Sequence, residues 1–217
     1  ILSNLSPSEF HLVYWELGNE KISEIIDMPC HKYATGYLRV ENLRRLENLI
    51  NGEVENRNLF GGHVSAKNIF TLIGIESGGI NAPNCYGDVG VAHLRANFNR
   101  DINLLNEEQN IRKAVKHLDG LIKNLGVYED QKIIVAAYNA GEGTIKDGIR
   151  YLQKMGKPIT YENLLNSGML PEITVDYVRT FEEFQRKFGS EGLFMYDDKT
   201  NSVKYVGPKE GVLIQPP

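Results

Sequence analysis

Residues Ile73 to Leu94 read "IGIESGGINAPNCYGDVGVAHL". An apolar segment arrives at one carboxylate, Glu76, a polar glycine-rich loop follows, and a second apolar run then carries His93. Just upstream, "SAKNIFTLIGIES" places Ile69, Phe70, Leu72, Ile73 and Ile75 in a segment that is apolar nearly all round. That pattern predicts a buried helix ending near Glu76. A glutamate at such an end is partly desolvated, and desolvation disfavours the charged form and raises the pKa. A carboxyl group still protonated near neutral pH can give a proton to a leaving-group oxygen. The same pattern also fits a helix-end glutamate bonded to a backbone amide or an arginine. Glycines at 78, 79, 87 and 90 would let backbone approach a bulky ligand beside the acid.

Working outward, the remaining elements read mainly as helices. "SPSEFHLVYWELGNEKISEII" opens with Ser6 as N-cap, Pro7 at the first helical position and Glu9 three residues after the cap. "VENLRRLENLI" puts Leu43, Leu46, Leu49 and Ile50 on one stripe. "NEEQNIRKAVKHLDGLIKNLG" has Asn106 as cap and a stripe of Ile111, Ala114, Val115, Leu118, Leu121, Ile122 and Leu125, with Gly126 as its stop. "DQKIIVAAYNAGEG" is a short apolar helix that breaks into "NAGEG". "TVDYVRTFEEFQRKFG" offers Thr174 as cap, an aromatic stripe of Tyr177, Phe181, Phe184 and Phe188, and Gly189 as stop. "LFMYDDKTNSVKYVGPKEG" is different, with two short β-prone runs flanking a polar turn, a predicted hairpin. Strands do not alternate with helices, which excludes a parallel sheet.

With 217 residues the chain is long enough for one good-sized domain or a domain with a subdomain. Its 41% apolar and 24% charged content excludes general disorder, and a net charge of −4 leaves no basic footprint for nucleic acid. No apolar run approaches the roughly 18 residues a bilayer crossing needs. The chain starts at Ile1 without a basic n-region, so a mature or trimmed chain with any export signal removed is expected. Cys30 and Cys85 fit two unrelated thiols or one disulfide tying the N-terminal segment to the loop after Glu76. His11, His31, His63, His93 and His117 are scattered, so no metal site is expected. Tyr138 and Asn139 arrive at a glycine-rich turn, where a phenol and an amide could bond a sugar or steer a carboxyl group. A buried tyrosine beside a glycine C-cap fits those residues equally.

Taken in order, "ES" at 76–77, "DVG" and "VAHL" at 88–94, "NIRKAVKHLDGLI" at 110–122, "AAYNAG" at 136–141 and "LP.IT..YV" at 170–178 resemble the soluble lytic transglycosylase family. The resemblance covers about residues 65–190, and its specificity lies in "ES" followed by "AAYNAG" at this separation. It implies a lysozyme-like fold, mainly α with an α+β character: a helical bundle around a glycan groove, with a minor β-hairpin near the C-terminus. It implies residues 63–190 as catalytic domain, while 1–62, read from their own pattern as a helical N-terminal subdomain, and 191–217, read as hairpin and tail, have no counterpart in the resemblance. The "D-x-G" resembles the short members associated with secretion, conjugation or phage assemblies, which implies peptidoglycan strands and such an assembly as partners, in the periplasm or exported.

Matched residue by residue, Glu76 is the family's single acid/base, Ser77 the serine beside it, and Tyr138 and Asn139 the pair that approaches acid and substrate. The implied reaction cleaves the β-1,4 bond between N-acetylmuramic acid and N-acetylglucosamine and closes a 1,6-anhydro ring, with no cofactor. Where the family has "GLMQ" lining the sugar groove, this chain has Gly90, Val91, Ala92 and His93. Where many members have a glutamate before the threonine, it has Ile173, with Glu172 one residue out of register and given no role. Two alternatives remain: a goose-type lysozyme-like hydrolase in which Asp88 holds the water, and a peptidoglycan-binding protein with weakened catalysis.

Overall fold

The computed structural model describes residues 2–25, 40–59, 61–84, 86–128, 130–190 and 194–206. Both cysteines lie outside these residues, and the question of their pairing lies outside with them. Eight helices are described: α1 (Pro7–Ile25), α2 (Val40–Leu59), α3 (Ala66–Ser77), α4 (Glu107–Leu125), α5 (Gln131–Ala140), α6 (Glu142–Lys154), α7 (Tyr161–Asn166) and α8 (Glu172–Ser190). Two antiparallel hairpins accompany them, β1 (Asp88–Val89) with β2 (Leu94–Arg95), and β3 (Phe194–Asp197) with β4 (Ser202–Tyr205). The mainly helical reading and the C-terminal hairpin therefore hold. Among the described residues no helix is long and apolar enough to cross a membrane.

Several helix ends follow directly from local chemistry. At α1 the capping box forms as read: the Ser6 amide donates to Glu9 Oε2 at 2.9 Å, and the Glu9 amide donates back to Ser6 Oγ at 3.4 Å. The Ser6 hydroxyl, which donates to Glu9 Oε2 at 2.5 Å, and the Ser6 amide hold the Glu9 carboxyl below its ordinary pKa. Asn106 caps α4 by accepting from the Gln109 amide at 3.0 Å. α3 ends on Gly78 at φ +62°, the left-handed conformation that glycine adopts without a Cβ penalty.

Three readings change. The glycine-rich loop after Glu76 is not wholly irregular, because Asp88 and Val89 pair with Arg95 and Leu94 and make Gly90–His93 the turn of a small hairpin. α8 starts two residues before Thr174, with the Pro171 carbonyl accepting from the amides of Thr174 and Val175. Thr174 is buried and its hydroxyl donates to Asn139 Oδ1 at 2.8 Å, so it is a packing residue rather than a cap. α8 also runs through Gly189 to Ser190.

The chain divides into two compact units, one made of residues up to Val115 with those from Lys187 onward, the other of Lys116–Arg186. In the first, α3 is enclosed: Ile69, Phe70, Leu72 and Ile73 are at most 2% exposed. α2 lines it with Leu43, Leu46, Ile50 and Val54, the stripe read from sequence, with Leu49 at its half-buried edge. The β3–β4 hairpin packs beside both helices. Phe194 lies against Phe70 with ring centroids 4.5 Å apart, and Asn51 on α2 bonds both the amide and the carbonyl of Val203.

The hairpin also caps α3. Asn201 in its turn, at φ +48°, accepts from the Ala66 amide at 3.0 Å and donates to the Val64 carbonyl at 2.8 Å. Asparagine tolerates this left-handed backbone better than most residues. Ser65, the residue in the N-cap position, makes no side-chain capping bond, so the cap comes from a residue distant in sequence.

In the second unit, Asp130 serves two helices at once. One oxygen accepts from the Lys132 and Ile133 amides at the start of α5, and the other from the Tyr161 amide at the start of α7. Gly141, at φ +86°, is the single residue between α5 and α6. Ile133 to Ala137, Ile145, Ile149, Leu152, Leu164 and Phe181 are buried in this unit.

Asn201→Ala removes a cap and leaves the Val64 carbonyl without that donor. The expected loss is about 1–2 kcal/mol, read as a melting temperature lower by about 2–4 °C per kcal/mol.

Candidate functional site

Glu76 sits one residue before the end of α3, so the buried helix fixes its backbone while its side chain remains 14% exposed. It faces His93: imidazole Nδ1 lies 3.3 Å from Glu76 Oε2, and the His93 side chain is 10% exposed. The sequence reading took these residues as acid and groove wall. The structure brings them into contact.

The hairpin turn that presents His93 is held from both sides. Ser77 is buried, and its hydroxyl donates to the Val91 carbonyl at 2.5 Å while accepting from the Gly79 amide at 3.0 Å. Ser77 thus ties the residue after the acid to the turn opposite it. From α4, the fully buried Asn110 donates to the carbonyls of Val89 and Leu104, both at 3.0 Å, and accepts from the Ala92 amide at 3.0 Å. Gly90 lies under this clamp at φ +83°, and a Cβ there would run into the Asn110 amide and the Leu104 carbonyl. Only glycine combines that backbone with that closeness. Val91 and Ala92 are buried, with the Val91 carbonyl and the Ala92 amide engaged in these braces. His93 closes the turn with its amide on the Gly90 carbonyl at 3.2 Å and adopts φ +44°. Histidine is among the non-glycine residues enriched in the left-handed region.

Asp88 is engaged at the base of the same hairpin. Arg95 Nε donates to its Oδ1 at 2.8 Å and Asn84 Nδ2 to its Oδ2 at 3.2 Å. The carboxylate holds the Arg95 guanidinium above its ordinary pKa through that hydrogen bond and its charge. Arg45 on α2 donates to the Gly79 carbonyl at 3.2 Å and pairs with Glu107, fixing the chain just past the acid.

Tyr138 and Asn139 lie in the second unit, near the end of α5 and half-buried. The Tyr138 ring is 5.4 Å from that of His117, and Asn139 Oδ1 accepts the Thr174 hydroxyl. Their environment is thus α5 with α4 and α8 residues of the same unit. Glu172 and Ile173 are exposed in the first turn of α8.

The residue that sequence reading passed over is Asn110. A signal was present: it stands four residues before Ala114 and eight before Leu118, on the apolar stripe of α4. A polar side chain on a buried stripe must have partners.

Residues 63–159, just under half of the chain, match the family model described as "Transglycosylase SLT domain". No curated protein matches the chain. The matched stretch contains Glu76, the Gly90–His93 turn, Asn110, Tyr138 and Asn139.

Asn110→Ala leaves two buried carbonyls and one buried amide without this partner, with an expected cost of about 2–4 kcal/mol in urea denaturation. Asn110→Asp, though nearly isosteric, is expected to recover little, because a carboxylate cannot donate to the Val89 and Leu104 carbonyls.

Proposed function

We propose, from the match of residues 63–159 to the transglycosylase SLT domain model, that the protein is a member of the soluble lytic transglycosylase family, whose SLT domains act on peptidoglycan in the cell envelope. From that premise we propose that it cleaves the β-1,4 bond between N-acetylmuramic acid and N-acetylglucosamine, with Glu76 as its single acid/base. The observation that carries the reading is the placement of Glu76. A carboxyl group stands partly exposed at the end of a buried helix, against a turn braced so that its backbone cannot drift.

In this mechanism the Glu76 carboxyl group protonates the bridging oxygen as the glycosidic bond breaks, and the N-acetyl group of the muramic acid assists at the anomeric carbon. The Glu76 carboxylate then takes the proton of the same sugar's 6-hydroxyl, whose oxygen closes the 1,6-anhydro ring. The proton that leaves Glu76 is replaced by the one it takes, and no water is consumed. A second carboxylate is not required, as in other substrate-assisted exceptions to the two-carboxylate rule.

The other site residues take unequal parts. Ser77, Val91 and Ala92 act through the turn they build, since Ser77 is internally bonded and the other two are buried. That leaves His93 and the turn backbone to line the sugar beside Gly90. For Tyr138 and Asn139 the support is the "AAYNAG" motif alone, which favours a role against acid and sugar. The catalytic domain is read as residues 63–190. A periplasmic or exported setting, within a secretion, conjugation or phage assembly, is the one the "D-x-G" pattern favours.

The hydrolase alternative needs Asp88 to hold an attacking water. Its two oxygens already accept from Arg95 and Asn84, which speaks for a structural Asp88 and against that reading.

Mass spectrometry of digested peptidoglycan tests the proposal. Anhydro-muropeptides are the expected product, while reducing-end muropeptides would support hydrolysis and absence of soluble product would support binding alone. Glu76→Gln is expected to lower turnover by about 100- to 10,000-fold, the usual contribution of a general acid/base, with glycan binding retained. Wild-type turnover in that variant would remove Glu76 from the mechanism.

A further inference from the structure

We propose that His93 is a positioning residue for Glu76, donating from Nδ1 to Oε2 and so dedicating Oε1 to the proton that the substrate receives. The inference rests on the functional reading above and adds to it a division of labour between the two carboxyl oxygens. A carboxyl group whose oxygens are equivalent can carry its proton on either one, and only one of them can face the glycosidic bond. A donor on Oε2 keeps the acidic proton off that oxygen.

The geometry supports this role in three ways. First, Nδ1 and Oε2 are 3.3 Å apart, and both side chains are largely enclosed, at 10% and 14% exposure. Catalytic hydrogen bonds that are long in the resting enzyme commonly tighten when substrate binds. Second, the two residues belong to one closed circuit. Glu76 is followed by Ser77, Ser77 Oγ bonds the Val91 carbonyl, and two residues later His93 returns to Glu76. Asn110 fixes the same turn independently at Val89 and Ala92. The contact is therefore imposed by braces that do not depend on it. Third, His93 is held at φ +44°, in the left-handed region that few non-glycine residues occupy. That backbone aims the imidazole at the acid.

For Glu76 to act as the acid it must carry a proton on Oε1, and the Oε2 contact must then be donated by the ring. His93 thus carries a hydrogen on Nδ1, the tautomer that a hydrogen-bond partner at Nδ1 selects in the neutral ring. When Glu76 has given up its proton, the same N–H continues to donate to a carboxylate, and charge-assisted hydrogen bonds are stronger than neutral ones. The pair therefore favours the ionised product of the first step without itself exchanging a proton. His93 is not a catalytic residue in this scheme, because it acts on the substrate's reacting atoms only through Glu76.

Two measurements test the proposal. The first is ¹⁵N NMR of the His93 ring in the resting protein, at a pH where the ring is neutral. The Nδ1–H tautomer is expected to dominate in the wild type and to lose that dominance in Glu76→Ala. An unchanged tautomer ratio would overturn the pairing, whatever the enzyme's activity. The second is a kcat and KM comparison on peptidoglycan. His93→Ala is expected to lower kcat about 10- to 100-fold, the scale of a misplaced catalytic group, with KM within about threefold. His93→Gln returns an N–H donor and is expected to recover part of kcat. A His93→Ala defect confined to KM would leave His93 a sugar contact alone and overturn the positioning role, as would an unchanged kcat. If the wild type releases no anhydro-muropeptides, the functional reading fails, and the tautomer ratio still decides the pairing.

Discussion

The Asn110 side chain is the interaction on which the rest of the site depends. The chain between α3 and α4 has two residue pairs of β-ladder and few other regular backbone bonds, yet much of it is buried. Buried amides and carbonyls need partners, and here asparagine side chains supply them. Asn81 donates to the Leu105 carbonyl, Asn99 donates to that of Arg95, and Asn103 accepts from the Leu105 amide. Asn110 carries the most constrained part, because its amide presses on Gly90 and reaches carbonyls on either side of the turn. With that clamp in place, Gly90 must be glycine and the turn has one geometry. His93 then has one direction in which to point.

A second layer of support reaches Glu76 through α3. The acid is near the C-terminal end of that helix, and the helix is capped at its other end by Asn201 from the C-terminal hairpin. The hairpin is in turn held by α2, where Asn51 bonds Val203 and Glu47 accepts the Tyr205 amide. α2 also holds α4, through the bidentate contact of Arg112 with the buried Glu53. α2 and the β3–β4 hairpin, both outside the matched stretch, thus form part of the packing around the helix that bears Glu76. Sites built on rigid elements keep their geometry better than sites built on loops.

Much of this was legible in the sequence because it is local or periodic. The α3 run announced a buried helix with a carboxylate at its end, the Ser6–Glu9 spacing announced a capping box, and Asn106 and Gly126 bounded α4. The misses have a common physical cause. Thr174 has the chemistry of a cap, but whether its hydroxyl meets its own helix's amides or Asn139 depends on what packs against it. α6 was passed over because Gly141 alone separates it from α5, and a one-residue break between helices looks like a single turn in sequence; α7 is only six residues long, and its first amide is held by Asp130, 31 residues away.

The sequence by itself determined most of the elements and singled out Glu76 as the candidate acid, since periodicity, glycine placement and the Glu76 motif are properties of neighbouring residues. Only the tertiary structure decided what the acid faces. The Glu76–His93 contact, the Asn110 clamp and the Asn201 cap join residues separated by 17, 18 and 135 positions. No local pattern encodes such pairs, because burial by segments distant in sequence is what makes partners for these polar groups obligatory.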